Sequence, residues 1–139
     1  MNKVFISGVA GFIGYSLALS LLQRGIRVVG VDNLSSYYDV SLKEERLERL
    51  HDLSGFTFHE LDLIQAGELK KVASKGSFDL AINLAAQAGV RYSKSNPFAY
   101  IDSNLHGFLN VIELSRTFEV DSFIYASSSS VYGSSNKLP

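Results

Sequence analysis

The chain contains no cysteine, so disulfides and thiol chemistry are excluded. Its three histidines, His51, His59 and His106, have no metal-ligand spacing with one another, and no zinc or other metal site is expected. Neither sign of charge dominates: 13 basic and 14 acidic residues give a net charge of −1 without long runs, which argues against nucleic acid or an anionic membrane as partner. No apolar run is long enough to span a bilayer, and the N-terminus lacks a secretory h-region, so the expectation is a soluble, cytoplasmic protein. A Pro/Gly-rich linker and internal repeats are also missing. At 139 residues and 46% hydrophobic content, residues 1–139 are expected to form one domain with a real core.

The most informative segment comes first. Lys3 to Ser7 is an apolar strand that runs into Gly8-Val9-Ala10-Gly11-Phe12-Ile13-Gly14, with glycines three apart. In a nucleotide-binding turn Gly8 allows the sharp exit from the strand, Gly11 lets backbone approach a pyrophosphate, and Gly14 lets the helix lie close to the sheet. The helix then points its free N–H groups and positive dipole end at the phosphates. The same three glycines also fit a tight βα turn with no ligand. Its helix repeats Ile13, Leu17 and Leu21 on one face, with Ala18 and Leu22 beside them, and ends at Arg24-Gly25.

A second apolar strand, Val28 to Val31, ends in Asp32, about 20 residues beyond the glycines, where a carboxylate can accept from adenosine ribose hydroxyls. This favours NAD over NADP: Asp32 would repel a 2′-phosphate, and Asn33-Leu34-Ser35-Ser36 supplies no Arg or Lys to hold one. An ordinary strand-end turn is the competing reading of Asp32.

Strands and helices alternate from there on. A helix over 42–50 sets Leu42, Leu47 and Leu50 against a charged face that should be solvated. A strand over 56–61 ends at Asp62, which fits either an adenine contact or a helix capping box ahead of a helix over 65–74. A strand over 80–84 leads into Ala85-Ala86, small enough for backbone to lie against a cofactor. Ser95-Asn96-Pro97 opens a long helix to about Thr117 that should carry Ile101, Leu105, Phe108, Leu109 and Ile112 inward. A strand over 122–126 precedes Ser127-Ser128-Ser129-Ser130-Val131-Tyr132-Gly133, which by itself reads as a polar loop. The pattern predicts an α/β Rossmann-type parallel sheet, ordered 3-2-1-4-5, with helices on both faces.

Four segments together, the glycine turn, Asp32-Asn33-Leu34, Asn83-Leu84-Ala85-Ala86-Gln87-Ala88-Gly89-Val90-Arg91 and the serine run with Val131-Tyr132-Gly133, resemble the extended short-chain dehydrogenase/reductase family. More narrowly, the stretch from Asp32 to Lys43 and Gln87 to Ser93 resemble the NAD-dependent nucleotide-sugar epimerases that act on UDP-glucuronate. The resemblance implies a redox-neutral cycle: a tyrosinate takes the proton of the sugar 4-hydroxyl, C4 gives hydride to NAD, and hydride returns to the other face of the 4-keto sugar. It further implies that Gly8, Gly11, Phe12, Ile13 and Gly14 serve the pyrophosphate, Asp32 and Asn33 the ribose, and Asp62 and Leu63 the adenine. Leu84, Ala85, Ala86 and Asn104 would complete the cofactor pocket. Ser128 would be the catalytic serine on the 4-hydroxyl, with Ser129 and Ser130 near the sugar. Arg91 would face a carboxylate or phosphate, although a surface arginine fits as well.

Two departures qualify this. The family's Tyr-x-x-x-Lys pair, with both side chains on one helix face, is absent: Tyr132 is followed at that spacing by Asn136, with Lys137 one further on. Asn83 stands where a histidine is usual. The expectation is therefore the NAD-binding N-terminal part of a UDP-uronate 4-epimerase, truncated after strand five and inactive alone, in a family that pairs as homodimers through the long helix. A standalone NAD-binding or regulatory module is the alternative. A 4,6-dehydratase fragment is a third reading, weakened because Ser129-Ser130 stands where an acidic pair would be needed.

Overall fold

The structure, a computed structural model, describes residues 2–134. Five strands, β1 (Lys3–Ser7), β2 (Arg27–Asp32), β3 (Phe56–Glu60), β4 (Leu80–Asn83) and β5 (Ser122–Tyr125), form one parallel sheet in the order β3-β2-β1-β4-β5. The predicted order and fold class hold. The sequence changes direction across the sheet between β1 and β4, which leaves a crevice at the carboxyl ends of these strands.

Side-chain alternation along the strands sorts the core into two layers. Val4, Ile6, Val28, Leu80 and Ile82 face helices α1 (Phe12–Gln23) and α2 (Ser41–His51), meeting Ala18, Leu21, Leu22, Leu47 and Leu50. Phe5, Val29, Val31 and Ala81 point the other way, onto Leu69 and Val72 of α3 (Ala66–Ala73) and Val111 and Leu114 of α5 (Phe108–Thr117). Each fully buried aliphatic or aromatic side chain here contributes about 1.5–3 kcal/mol of transfer free energy. The α1 helix ends as its sequence suggests, with Gly25 N donating to Leu22 O just past the Arg24 cap.

Three expectations are corrected. Strand β4 stops at Asn83, and Leu84 N makes the last bond of the parallel ladder, to Ser7 O. In α2 Leu42 is exposed while Lys43 is buried, because the helix is rotated so that Lys43 can reach a carboxylate on β2.

The long helix is interrupted: α4 (Phe98–Ile101) and α5 are joined by a π-helical segment, Asp102–Gly107. Bonding from i to i+5 there takes more residues per turn and so sets back the phase of the residues that follow. Gly107, Val111, Leu114 and Ser115 face the core, whereas Ile101, Leu105 and Leu109 are exposed. At the start of this run the Asn96 Oδ1 accepts from Ala99 N at 3.4 Å.

Candidate functional site

The crevice at the carboxyl edge of the sheet is a cleft of about 740 Å³, bounded by the β1–α1 turn, the end of β2 with α2, the segment after β3, and the loop after β4. Its size lies in the range of small-molecule sites. The turn is built by hydrogen bonds to β2: Gly8 N and Val9 N both donate to Val31 O, and Ala10 N donates to Asp32 Oδ2 at 3.1 Å. Gly8 has φ +71°, and a Cβ there would lie 2.8 Å from Ala85 N, so only glycine lets the two loops meet. A Cβ at Gly14 would overlap Gly8 O, which is why α1 can start so close beneath the turn. The first turn of α1 carries no acidic residue, and no side chain caps its amides. They are therefore available to an anion at the positive end of the helix.

Asp32 is nearly buried. Its Oδ2 accepts from Ala10 N, while Oδ1 accepts from Leu34 N at 3.0 Å and from Lys43 Nζ at 3.2 Å. The buried ion pair with Lys43 and the Leu34 turn, at φ +48°, fix the carboxylate on the cleft wall. Beside it Asn33 Nδ2 donates to Asp62 Oδ2 at 2.9 Å, and Asp62 Oδ1 accepts from Ile64 N, two residues on. Asp62 thus closes a short turn and does not form a capping box: α3 begins after Gln65 without a side-chain cap.

Under the loop after β4, Ser7 and Asn83 form a buried pair. Ser7 Oγ donates to Asn83 Oδ1 at 2.6 Å and accepts from Leu84 N and Ala85 N. Asn104, in the π segment, uses both ends of its amide on one backbone unit: Oδ1 accepts from Gln87 N at 2.7 Å, and Nδ2 donates to Gln87 O at 3.1 Å. Tyr37 after β2 meets Tyr92 after β4, ring centroids 5.1 Å apart, bridging the two loops that flank the cleft.

Of the residues singled out from sequence, Gly8, Gly11, Phe12, Asp32, Asn33, Asp62, Leu63, Leu84, Ala85 and Ala86 line this cleft together. Ile13, which is exposed, and Gly14, packed against Gly8, lie outside the lining, and Asn104 supports Gln87 from outside it. Arg91 is exposed and does not line the cleft. Ser128, Ser129 and Ser130 are exposed and also outside the lining. Ser128 Oγ accepts from Ser130 N at 3.1 Å and so caps the 3-10 turn Ser129–Tyr132. Asn136 and Lys137, where the tyrosine–lysine spacing fails, lie outside the described residues.

Sequence reasoning missed Lys43 and Arg46. Both reach the cleft from α2: Asn33-Leu34-Ser35-Ser36 supplies no cation beside Asp32, but the next helix does. The arrangement Asp32-x₁₀-Lys43-x₂-Arg46 was the available signal, since residues three apart on a helix share a face. Among the described residues no cluster of three metal-ligating side chains occurs, and no helix is long and apolar enough to cross a membrane.

A parallel sheet, a glycine turn leading into an uncapped helix and a strand-end carboxylate define a dinucleotide-binding α/β protein. By sequence, residues 4–139 match the NAD dependent epimerase/dehydratase family, and the chain belongs to that family. It is 50% identical over 137 residues to the protein CapI of Staphylococcus aureus, covering 99% of this chain and 41% of that one. It is 44% identical over 132 residues to a UDP-glucuronate 4-epimerase of Thermodesulfobacterium geofontis, covering 95% of this chain and 41% of the relative. Among solved structures, UDP-glucuronic acid 4-epimerase from Bacillus cereus, in complex with UDP-glucuronic acid and NAD, superposes with a TM-score of 0.87 at 32% identity. That match covers 97% of this chain and 43% of the other. The chain therefore spans about 41% of the length of these curated relatives.

Proposed function

We propose that residues 1–139 are the NAD-binding domain of a nucleotide-sugar 4-epimerase of the UDP-glucuronate/UDP-galacturonate type, holding the cofactor without catalysing by themselves. The observation that carries this reading is the cleft itself, which brings the glycine turn, the α1 amides and Asp32 into one space of about 740 Å³. The residues present fit a dinucleotide. The uncapped amides in the first turn of α1 offer backbone N–H groups to a pyrophosphate, and Gly8 and Gly11, which carry no side chain, leave the approach open. Asp32 and Asn33 take the adenosine ribose, Asp62 and Leu63 the adenine, and Leu84, Ala85 and Ala86 the far side of the pocket.

Bound NAD would supply a hydride acceptor and donor for the sugar C4. The chain's own residues orient and shield it. Ser7 and Asn83 hold the Leu84–Ala85 backbone in place, and Asn104 holds Gln87. Ser128 is the serine we assign to the sugar 4-hydroxyl, with Ser129 and Ser130 near the sugar and Arg91 as a donor to its carboxylate or a phosphate. The general base is not among these residues, because no tyrosine in the sequence has a lysine four positions on.

Supplying the purified chain with NAD and UDP-glucuronate, and separating the sugar nucleotides by chromatography, tests the division of labour. Cofactor binding with no UDP-galacturonate is expected. Formation of UDP-galacturonate by this chain would show that the catalytic base lies within it and would refute the reading.

A further inference from the structure

The wall expected to take the adenosine carries more charge than a ribose needs. Lys43 is about as buried as Asp32, with Nζ 3.2 Å from Asp32 Oδ1 and 5.1 Å from the centroid of the Tyr38 ring. Arg46, one turn further along α2, donates from Nη1 to Ala10 O at 3.1 Å and to Tyr38 Oη at 3.4 Å. Asp32, Asp62, Lys43 and Arg46 all line the same cleft, so two carboxylates face two cations. A carboxylate offers about four acceptor sites, and three of those on Asp32 are taken by Ala10 N, Leu34 N and Lys43 Nζ. One remains, on Oδ2. The Lys43 ammonium has three donors and spends one on Asp32, so it can give another to a ligand.

Resting on the NAD reading, we propose that Lys43 is a cofactor-positioning and specificity-determining residue. Asp32 accepts from one ribose hydroxyl, and Lys43 donates to the oxygen of the other. The same ammonium, with Arg46, is a latent site for a 2′-phosphate that the Asp32 charge keeps closed. With Asp32 neutralised, the wall carries two cations against Asp62 alone, and a phosphate dianion is drawn to it. NAD preference then rests on one carboxylate, with the cations for NADP already in place.

Calorimetric titration of the full chain with NAD and with NADP tests this through four proteins: wild type, Lys43→Met, Asp32→Asn and the double variant Asp32→Asn/Lys43→Met. The double variant matters because Lys43→Met alone leaves a buried carboxylate without its partner and endangers folding, whereas Asn opposite Met leaves no unpaired charge. Wild type is expected to prefer NAD. Asp32→Asn should shift the NADP-to-NAD affinity ratio toward NADP by tenfold or more, about 1.4 kcal/mol, and the double variant should lose that gain. A folded Lys43→Met should bind NAD about tenfold more weakly than wild type, or about 1.4 kcal/mol. Equal NADP binding by Asp32→Asn and the double variant would overturn the role of Lys43, as would an unshifted ratio in Asp32→Asn, while leaving the NAD reading intact. Wild type binding neither nucleotide would overturn both.

Discussion

Ser7 Oγ donates to Asn83 Oδ1 over 2.6 Å, joining the ends of β1 and β4 at the point where the chain's path across the sheet reverses. The pair is buried, and the same Ser7 oxygen receives Leu84 N and Ala85 N. Replacing Ser7 by Ala leaves the Asn83 Oδ1 and the Ala85 amide short of a partner, whereas Leu84 N keeps the Ser7 backbone carbonyl. The expected cost is about 1–3 kcal/mol in urea-induced unfolding. Because Leu84 and Ala85 form one wall of the cleft, NAD affinity should fall together with stability.

Gly14→Ala probes the seat of α1. The added methyl would overlap Gly8 O and approach Val9 Cα to 2.9 Å, both backbone atoms that cannot swing aside. Helix and turn must separate, at about 1–3 kcal/mol by analogy with overpacked cores. Thermal unfolding followed by circular dichroism should show the loss, and an unchanged melting temperature would mean that α1 does not sit as described.

Acid sensitivity should come in part from Asp79. Its Oδ2 accepts from the backbone N–H groups of Asn2 and Lys3, and these hydrogen bonds hold its carboxyl below the ordinary aspartate value. A pKa lower in the folded state stabilises the fold above the unfolded pKa, and the contribution disappears as pH falls through the folded one. Asp79→Asn should therefore be less stable than wild type at neutral pH, with the gap narrowing as pH falls below the ordinary aspartate value of about 4. Melting temperatures measured across that range would check it.

Much of this geometry was legible in the sequence where a local rule governs it. The glycine spacing, the apolar strands and Asp32 all depend on short-range backbone demands, and they converge on one cleft as their pattern requires. Lys43 escaped because a run of Lys, Glu and Arg reads as a solvated face, and only the tertiary partner on β2 explains why a lysine is buried while its neighbour Leu42 is exposed. The inward face of the long helix was misread for a different reason. At about 100° per residue, Leu105 and Leu109 lie roughly 200° from Gly107 and Val111, and the π segment shifts the phase that a regular helix would carry through.

The exposed Leu105 and Leu109, one turn apart, form with Ile101 an apolar surface on the helix that the family resemblance assigns to pairing of two subunits. If this chain self-associates through that face, Leu105→Glu/Leu109→Glu should be monomeric in sedimentation velocity at concentrations where wild type forms dimers. Both proteins sedimenting as monomers would remove the homodimer from the account.

The central claim is that the cleft above β1, β2 and β4 holds a dinucleotide. Calorimetric titration of the purified chain with NAD, beside a Gly11→Val variant whose side chain would stand between the turn and a pyrophosphate, tests it most directly. Saturable one-site binding by wild type, abolished in a variant with an unchanged circular dichroism spectrum, is the predicted result. A folded wild-type chain that binds no NAD, or a Gly11→Val variant that binds it equally well, would contradict the claim.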